Sequence, residues 1–269
     1  MNGEKSLEPI NILLSREELL FVLNSLEADF IPGLDAEPQG EITVAQELFG
    51  MAVAGRALRA RELARRQASG NLEIHTALLT MIGVCVYSQN VLFVYHWPTN
   101  AETPTRYFGH LRGNDIVAHT RPEDILHLFS LLPGKEQLVN QVLAVCQYED
   151  VQTSQPLEFT APSDTIAQVR QLAGAGDVEN AINLLINNSV AAETAKTFVD
   201  TLAHSPRVSI MQAVKQPGDG TVQKRDFTLL QNSQQAWLAV APPDTTAGNP
   251  LLVKTTTRDE VRALLAEWL

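Results

Sequence analysis

Long apolar runs are missing from this 269-residue chain. No stretch approaches the roughly 18 apolar residues that a membrane-spanning helix needs, so no span is expected. Met1 to Ile10 carries Glu4, Lys5 and Glu8 and has no apolar signal core, so export by the usual route is not expected either. Positive charge is scarce: 20 Lys and Arg stand against 31 Asp and Glu, a formal net charge of −11. That balance argues against a general binder of nucleic acid or anionic membrane and suits a cytoplasmic protein that meets a basic or apolar partner. Only two cysteines occur. Cys85 in Ile82-Gly83-Val84-Cys85-Val86 and Cys146 in Ala144-Val145-Cys146 read as small buried hydrophobes, and a reducing compartment is expected over a disulfide.

The usual signatures of catalysis are missing as well. There is no HExxH, no cysteine pair at zinc spacing and no GxSxG elbow. Gly174-Ala175-Gly176-Asp177 has the look of a phosphate loop, but it follows a helical pattern rather than a strand and reads as a helix–helix turn. His96, His110 and His119 fall in one strand-rich region, yet strand histidines are more simply structural than metal ligands. Asp124 and His127, read one helical turn apart, have acid–base spacing, but Asp124 is better explained as a charge favoured near a helix start. No cofactor and no metal are expected, and the chain is read as non-enzymatic.

What is present is a pattern that occurs twice. The run Ile116-Val117-Ala118-His119-Thr120-Arg121-Pro122-Glu123 to Leu132 and the run Leu251-Leu252-Val253-Lys254-Thr255 to Leu269 both read as an apolar strand, a threonine, an acidic first turn and an amphipathic helix. Around them the order of elements is also alike. Ser15 and Glu18 form a capping box ahead of Leu19, Leu20, Leu23 and Leu26. A second helix is expected from about Thr43 to Gln67, and a third, capped by Asn71, carries Leu72, Thr76, Leu79 and Gly83 on one face. Strands follow at Val91 to Trp97, Tyr107 to Arg112 and Asp115 to His119, with a Gly113-Asn114 turn and a polar loop from Pro98 to Pro104. Arg121 to Leu132 is expected as a helix, and Glu136 to Tyr148 as either a helix or a strand. In the second half, helices are expected at Ser163 to Ala173, Val178 to Asn187 and Ala191 to His204. Strands are expected at Arg207 to Lys215, Gln223 to Gln231, Ala236 to Ala241 and Leu251 to Thr255, with a hairpin turn at Pro217-Gly218-Asp219-Gly220 and a closing helix from Arg258. The expected fold is α+β: a quasi-two-fold repeat of helices, antiparallel strands and a closing helix around a central sheet. Its halves are residues 1–150 and 151–269, packed as one domain, with the join in the polar stretch from Glu149 to Ser163.

Arg56, Arg59, Arg61, Arg65 and Arg66 are the one basic concentration. A helix spreads them over more than one face, which suits a solvated surface; a DNA-binding regulator docking this helix is the alternative reading. Trp97, Trp237 and Trp268 are candidate anchors for a protein partner, though each taken singly is more simply a core residue.

Two segments carry a family resemblance. Ala54-Gly55-Arg56-Ala57-Leu58-Arg59-Ala60-Arg61-Glu62-Leu63, and the tail from Phe227-Thr228-Leu229-Leu230 through Trp237-Leu238-Ala239-Val240 to Val261-Arg262-Ala263-Leu264-Leu265, resemble the EspG family of cytoplasmic chaperones of type VII (ESX) secretion. Glu62 stands where that family is expected to carry glycine. The resemblance implies a quasi-two-fold α+β fold with a central sheet and flanking helical bundles. It also implies a partner, the helical tip of a secreted PE–PPE pair, held soluble by a loop between strands and by the C-terminal helical bundle. The loop corresponds to Pro98–Thr105, which makes Trp97, Pro98, Thr99, Asn100, Glu102 and Thr103 the candidate contacts.

Overall fold

A computed structural model describes residues 10–38, 40–68, 70, 72–99, 101–151, 156–204, 206–216, 220–241 and 250–269. The described residues form two compact units, one within Met1–Val91 and Arg106–Leu138, the other within Leu92–Thr105 and Val139–Leu269. The fold is α+β with antiparallel strand pairing.

The first unit begins with β1 (Ile10–Ser15), α1 (Arg16–Ser25) and α2 (Val44–Ala60). Both helices start at true capping boxes, Ser15 with Glu18 and Thr43 with Gln46. A short hairpin follows, β2 (Ala64–Arg66) with β3 (Leu72–Ile74), then α3 (Thr76–Val86) and the start of β4 (Asn90–Trp97). Next come β5 (Thr105–Arg112), β6 (Asp115–Glu123) and β7 (Leu126–Leu132), and then α4 (Lys135–Val145), which runs on into the second unit. Strands β1, β7, β6 and β5 lie side by side in that order. Helix α3, Thr-Ala-Leu-Leu-Thr-Met-Ile-Gly-Val-Cys-Val, has no charged residue and buries Leu78, Met81, Ile82 and Cys85 in one core with Leu19, Val22 and Leu23 of α1 and Val117 and Phe129 of the sheet. Cys85 is a free, buried thiol, as is Cys146 in the second unit.

The second unit holds β8 (Glu158–Pro162), α5 (Ser163–Gly174), α6 (Val178–Asn187), α7 (Ala192–Ala203), β9 (Arg207–Lys215), β10 (Gln223–Gln231), β11 (Ala236–Val240), β12 (Pro250–Thr255) and α8 (Arg258–Trp268). Its strands run β4, β9, β10, β11, β12, β8. Trp237 sits at the centre, fully buried, with Phe198 and Phe159 edge-on at ring separations of 5.2 and 6.2 Å and its indole N–H donated to Thr201 Oγ1 at 3.1 Å. The expected turn at Pro217 to Asp219 lies outside the described residues, as does Asn71.

Three expectations need correction. Arg121 to Leu132 is not a helix: β6 continues to Glu123 and β7 pairs with it and with β1. Thr120 and Glu123 have capping-box spacing, like Thr257 and Glu260 of α8, whose box is real. The difference is Pro122. It would be the second helical residue, and its ring drives Arg121, which would be the first, out of the helical region. Residues 116–132 and 251–269 are therefore not copies of one motif, and the helix that follows β7 is α4. Second, α2 stops at Ala60 rather than Gln67. Glu62 takes a left-handed conformation (φ 59°) and Leu63 N–H bonds back to Leu58 O at 2.8 Å, closing the helix. Third, the third helix starts after His75, whose Nδ1 accepts from Ala77 N–H, while Leu72–Ile74 is strand.

Helices α1, α2, α4, α5 and α6 all end in the way α2 does. The residues at positive φ are Glu27, Glu62, Gln147, Gly176 and Ser189, and the next N–H in each case returns to Leu23, Leu58, Leu143, Leu172 or Leu185. Only one of the five has the glycine that this conformation favours.

Candidate partner-binding cleft

The candidate loop is delivered by β4. Alternation along the strand buries Leu92, Val94 and His96 and leaves Trp97 half-buried against the core of the second unit. Pro98 ends the strand because it has no N–H to donate. Its carbonyl accepts from Ala101 N–H at 3.0 Å. Pro98 is half-buried, while Thr99, Glu102 and Thr103 are exposed; Asn100 lies outside the described residues.

Pro98 and Thr99 form one wall of an open cleft of about 750 Å³ within the second unit. The end of α4 brings Gln147 and Glu149, the end of α7 brings Asp200 and His204, and β9 opens with Arg207. The β10–β11 turn, Asn232 to Gln234, closes the far side. Asn232 Oδ1 accepts from the N–H groups of Gln234 and Gln235 at 2.9 and 2.8 Å, so this turn is held by its own side chain. Arg207 donates to Glu149 Oε1 at 2.7 Å, which holds the Glu149 carboxyl below its usual range. Gln231 is buried and donates to Gln147 O at 2.7 Å, pinning the left-handed residue that ends α4. His96 also belongs to this unit, with Nδ1 2.9 Å from Ser209 Oγ. Both side chains are about 1% exposed, and burial lowers the His96 pKa, so this pair is a neutral core hydrogen bond. The cleft thus offers amides, hydroxyls, the Arg207–Glu149 ion pair and the Asp200–His204 contact at 3.3 Å, groups that recognise a polar surface by hydrogen bonding.

The other sequence candidates fall elsewhere. His110 and His119 lie together in the first unit, with rings 6.0 Å apart, and His119 Nε2 is 2.9 Å from His127 Nδ1. Among the described residues no group of His, Cys, Asp and Glu has the arrangement of a metal site. Asp124 and His127 are not an acid–base pair on a helix: Asp124 is in an exposed turn against Arg121, and His127 points into the core. The arginine segment is split by the end of α2. Arg61 is held by the buried Glu18 at 2.8 Å and Arg65 by Glu73 at 2.6 Å. The cleft residues beyond the loop were not singled out from the sequence. Their signal was weak, since each is an ordinary polar residue at the end of a helix or in a hairpin turn.

No family model matches the sequence, and no curated protein matches it. The fold, by contrast, is shared with the chaperones of type VII secretion. The solved structure of EspG5 from Mycobacterium tuberculosis, in complex with the PE25–PPE41 dimer, superposes with a TM-score of 0.66 over 96% of this chain and 95% of that one, at 11% sequence identity. At that identity the likeness is one of fold. Among the described residues no helix is long and apolar enough to cross a membrane.

Proposed function

We propose that this chain is a non-enzymatic cytoplasmic chaperone or adaptor that binds a helical secreted protein or protein pair. The loop from Trp97 to Thr103 and the cleft beside it form the contact surface. The reading is carried by the full-length fold likeness to a secretion chaperone solved with a PE–PPE dimer. An exported helical pair that exposes an apolar tip aggregates unless that tip is covered. Pro98 gives the loop a fixed exit from β4, and the exposed Thr99, Glu102 and Thr103, with the polar cleft beside them, suit a partner's polar rim. A two-fold plan belongs to the same reading. Strand, three helices, four strands and a helix occur twice in that order, with β2–β3 inserted in the first pass, and β1 pairs with β7 as β8 pairs with β12. The DNA-binding alternative is not favoured, because Arg61 and Arg65 are already committed to acidic partners.

Co-expression with a PE–PPE pair from the same genome tests the proposal. The pair is expected to stay soluble and to co-elute with the chain. Thr99→Arg and Glu102→Arg should each weaken the complex by tenfold or more while the circular dichroism of the free chain stays unchanged. A pair that aggregates equally with and without the chain would rule the reading out.

A further inference from the structure

Helix α2 carries an apolar seam that α1 covers only in part. Val44, Leu48, Met51, Gly55 and Leu58 follow one another at alternating steps of four and three, the spacing that lines one side of a helix for packing against another. Burial rises along the seam. Val44 and Leu48 are 72% and 66% exposed, Met51 is half-buried, and Gly55 and Leu58 are buried. Helix α1 packs on the closed end: a Cβ on Gly55 would lie 3.2 Å from the Phe21 ring, and Glu18 holds Arg61 at the C-cap of α2. With 10 residues against 17, α1 is about 10 Å the shorter, and among the described residues no helix covers the open end of the seam.

A groove of about 370 Å³ lies there. Leu20 and Leu23 of α1, Met51 of α2, and Ala28 and Ile42 beside them give it apolar walls. Glu17, Asp29 and Glu47 line it as well, and among the described residues no Lys, Arg or His does. None of these three carboxylates forms an ion pair among the described residues, whereas Glu37, the fourth in the lining, is held by Arg16. Glu17 and Glu47 stand in first turns, where the helix dipole also favours an acid; Asp29 does not, yet all three line the same groove. We propose that the groove receives a basic amphipathic helix of another protein. Its large apolar side chains lie on the open end of the seam, and its Lys or Arg residues meet Glu17, Asp29 and Glu47. Helices dock in grooves of this kind through apolar anchors about one turn apart, and charges at the rim decide which helix is accepted. A second copy of this chain is the poorer occupant. It would set one acidic rim against another in a chain whose net charge is already −11. The groove belongs to the first unit and the loop with its cleft to the second, so this inference is independent of the partner reading above.

The probe is a fluorescent peptide of about 18 residues, five helical turns, with leucines on one face and lysines on the other. Titrated with the full chain, its anisotropy is expected to show saturable one-to-one binding with a Kd between about 1 and about 100 μM, weakening as salt is raised. A Cβ on Gly50 would lie 3.8 Å from Glu17 Cγ, an ordinary contact, so Gly50→Leu fills the groove without a clash. That variant, and a second one carrying Glu17→Lys and Glu47→Lys, should each weaken binding by about tenfold or more, with the circular dichroism of the native chain retained. Thr99→Arg and Glu102→Arg, which test the loop, should leave peptide binding unchanged. No saturable binding up to about 500 μM overturns the proposal. So does binding that survives Gly50→Leu, or binding lost through the loop variants instead. Equal binding by spermine, or by the peptide with glutamine in place of leucine, overturns it too, because charge alone would then suffice. A native chain that dimerises in sedimentation velocity, and that Gly50→Leu returns to monomer, would give the groove to a second copy and overturn it as well.

Discussion

The two units solve the problem of a core with different materials. The second is built around Trp237, Phe198 and Phe159, with one tryptophan N–H satisfied by Thr201. The first places three buried histidines across β5, β6 and β7, stacked among Phe108 and Phe129. A loop closes over them. Gly33, at φ +93°, has no room for a Cβ, which would come within 2.7 Å of both His119 and Phe108. Two residues on, Asp35 bridges Arg106 and Arg121. Burial pulls the Asp35 carboxyl up, but hydrogen bonds and charge from the two arginines outweigh it and hold it below the usual value. The second core thus holds one buried imidazole, His96, while the first holds three in mutual contact, all of which must stay neutral.

The largest expected effect follows from that contrast. Desolvation pushes the His110 pKa down to about 3 and the His127 pKa down to about 4, in the latter case helped by Arg121 and Arg16 against Asp35. His119 is lowered well below its usual value, first by desolvation and then by its histidine neighbours. A base whose pKa is lowered on folding contributes stability above its unfolded pKa of about 6.5 and loses it as pH falls toward the folded value. At pH 5 the loss is about 2 kcal/mol for each of His110 and His127, with His119 adding to it. Segment-resolved hydrogen exchange at pH 7 and pH 5 should show protection falling further in the first unit, with three such histidines, than in the second, with His96 alone. Equal loss in both would break the comparison. From the other side, Trp237→Ala should cost about 3–5 kcal/mol and remove protection from the second unit at neutral pH. A smaller effect sharpens the account of helix endings. Glu62→Gly relieves a left-handed glutamate, and chemical denaturation should report a gain of about 1 kcal/mol.

Much of the second unit was legible from residues alone. Its strands stand out as short apolar runs between polar turns, and Thr257 with Glu260 announces α8. The first unit was read less well, for local reasons. Pro122 turned an apparent capping box into a bulged strand, where the register between β6 and β7 shifts between Thr120 and Glu123. Leucines on both faces of β7 hid its period, since a strand covered on both sides loses the alternation that marks it. Left-handed ends at Glu62 and Gln147 carry no glycine to advertise them. The loop from Pro98 was placed correctly by its prolines and polar residues. The rest of the cleft assembles from the ends of α4 and α7, the start of β9 and the β10–β11 turn, and that proximity is a property of the fold rather than of any local pattern.

The central claim is that the loop after β4 and its cleft receive a helical secreted partner. The most direct measurement is a hydrogen-exchange footprint of the chain with and without a PE–PPE pair from the same genome. The account predicts slowed exchange at Thr99 to Thr103, at Gln147 to Glu149 and across the β10–β11 turn, with the first unit's core unchanged. Binding that leaves these three segments unprotected would contradict it.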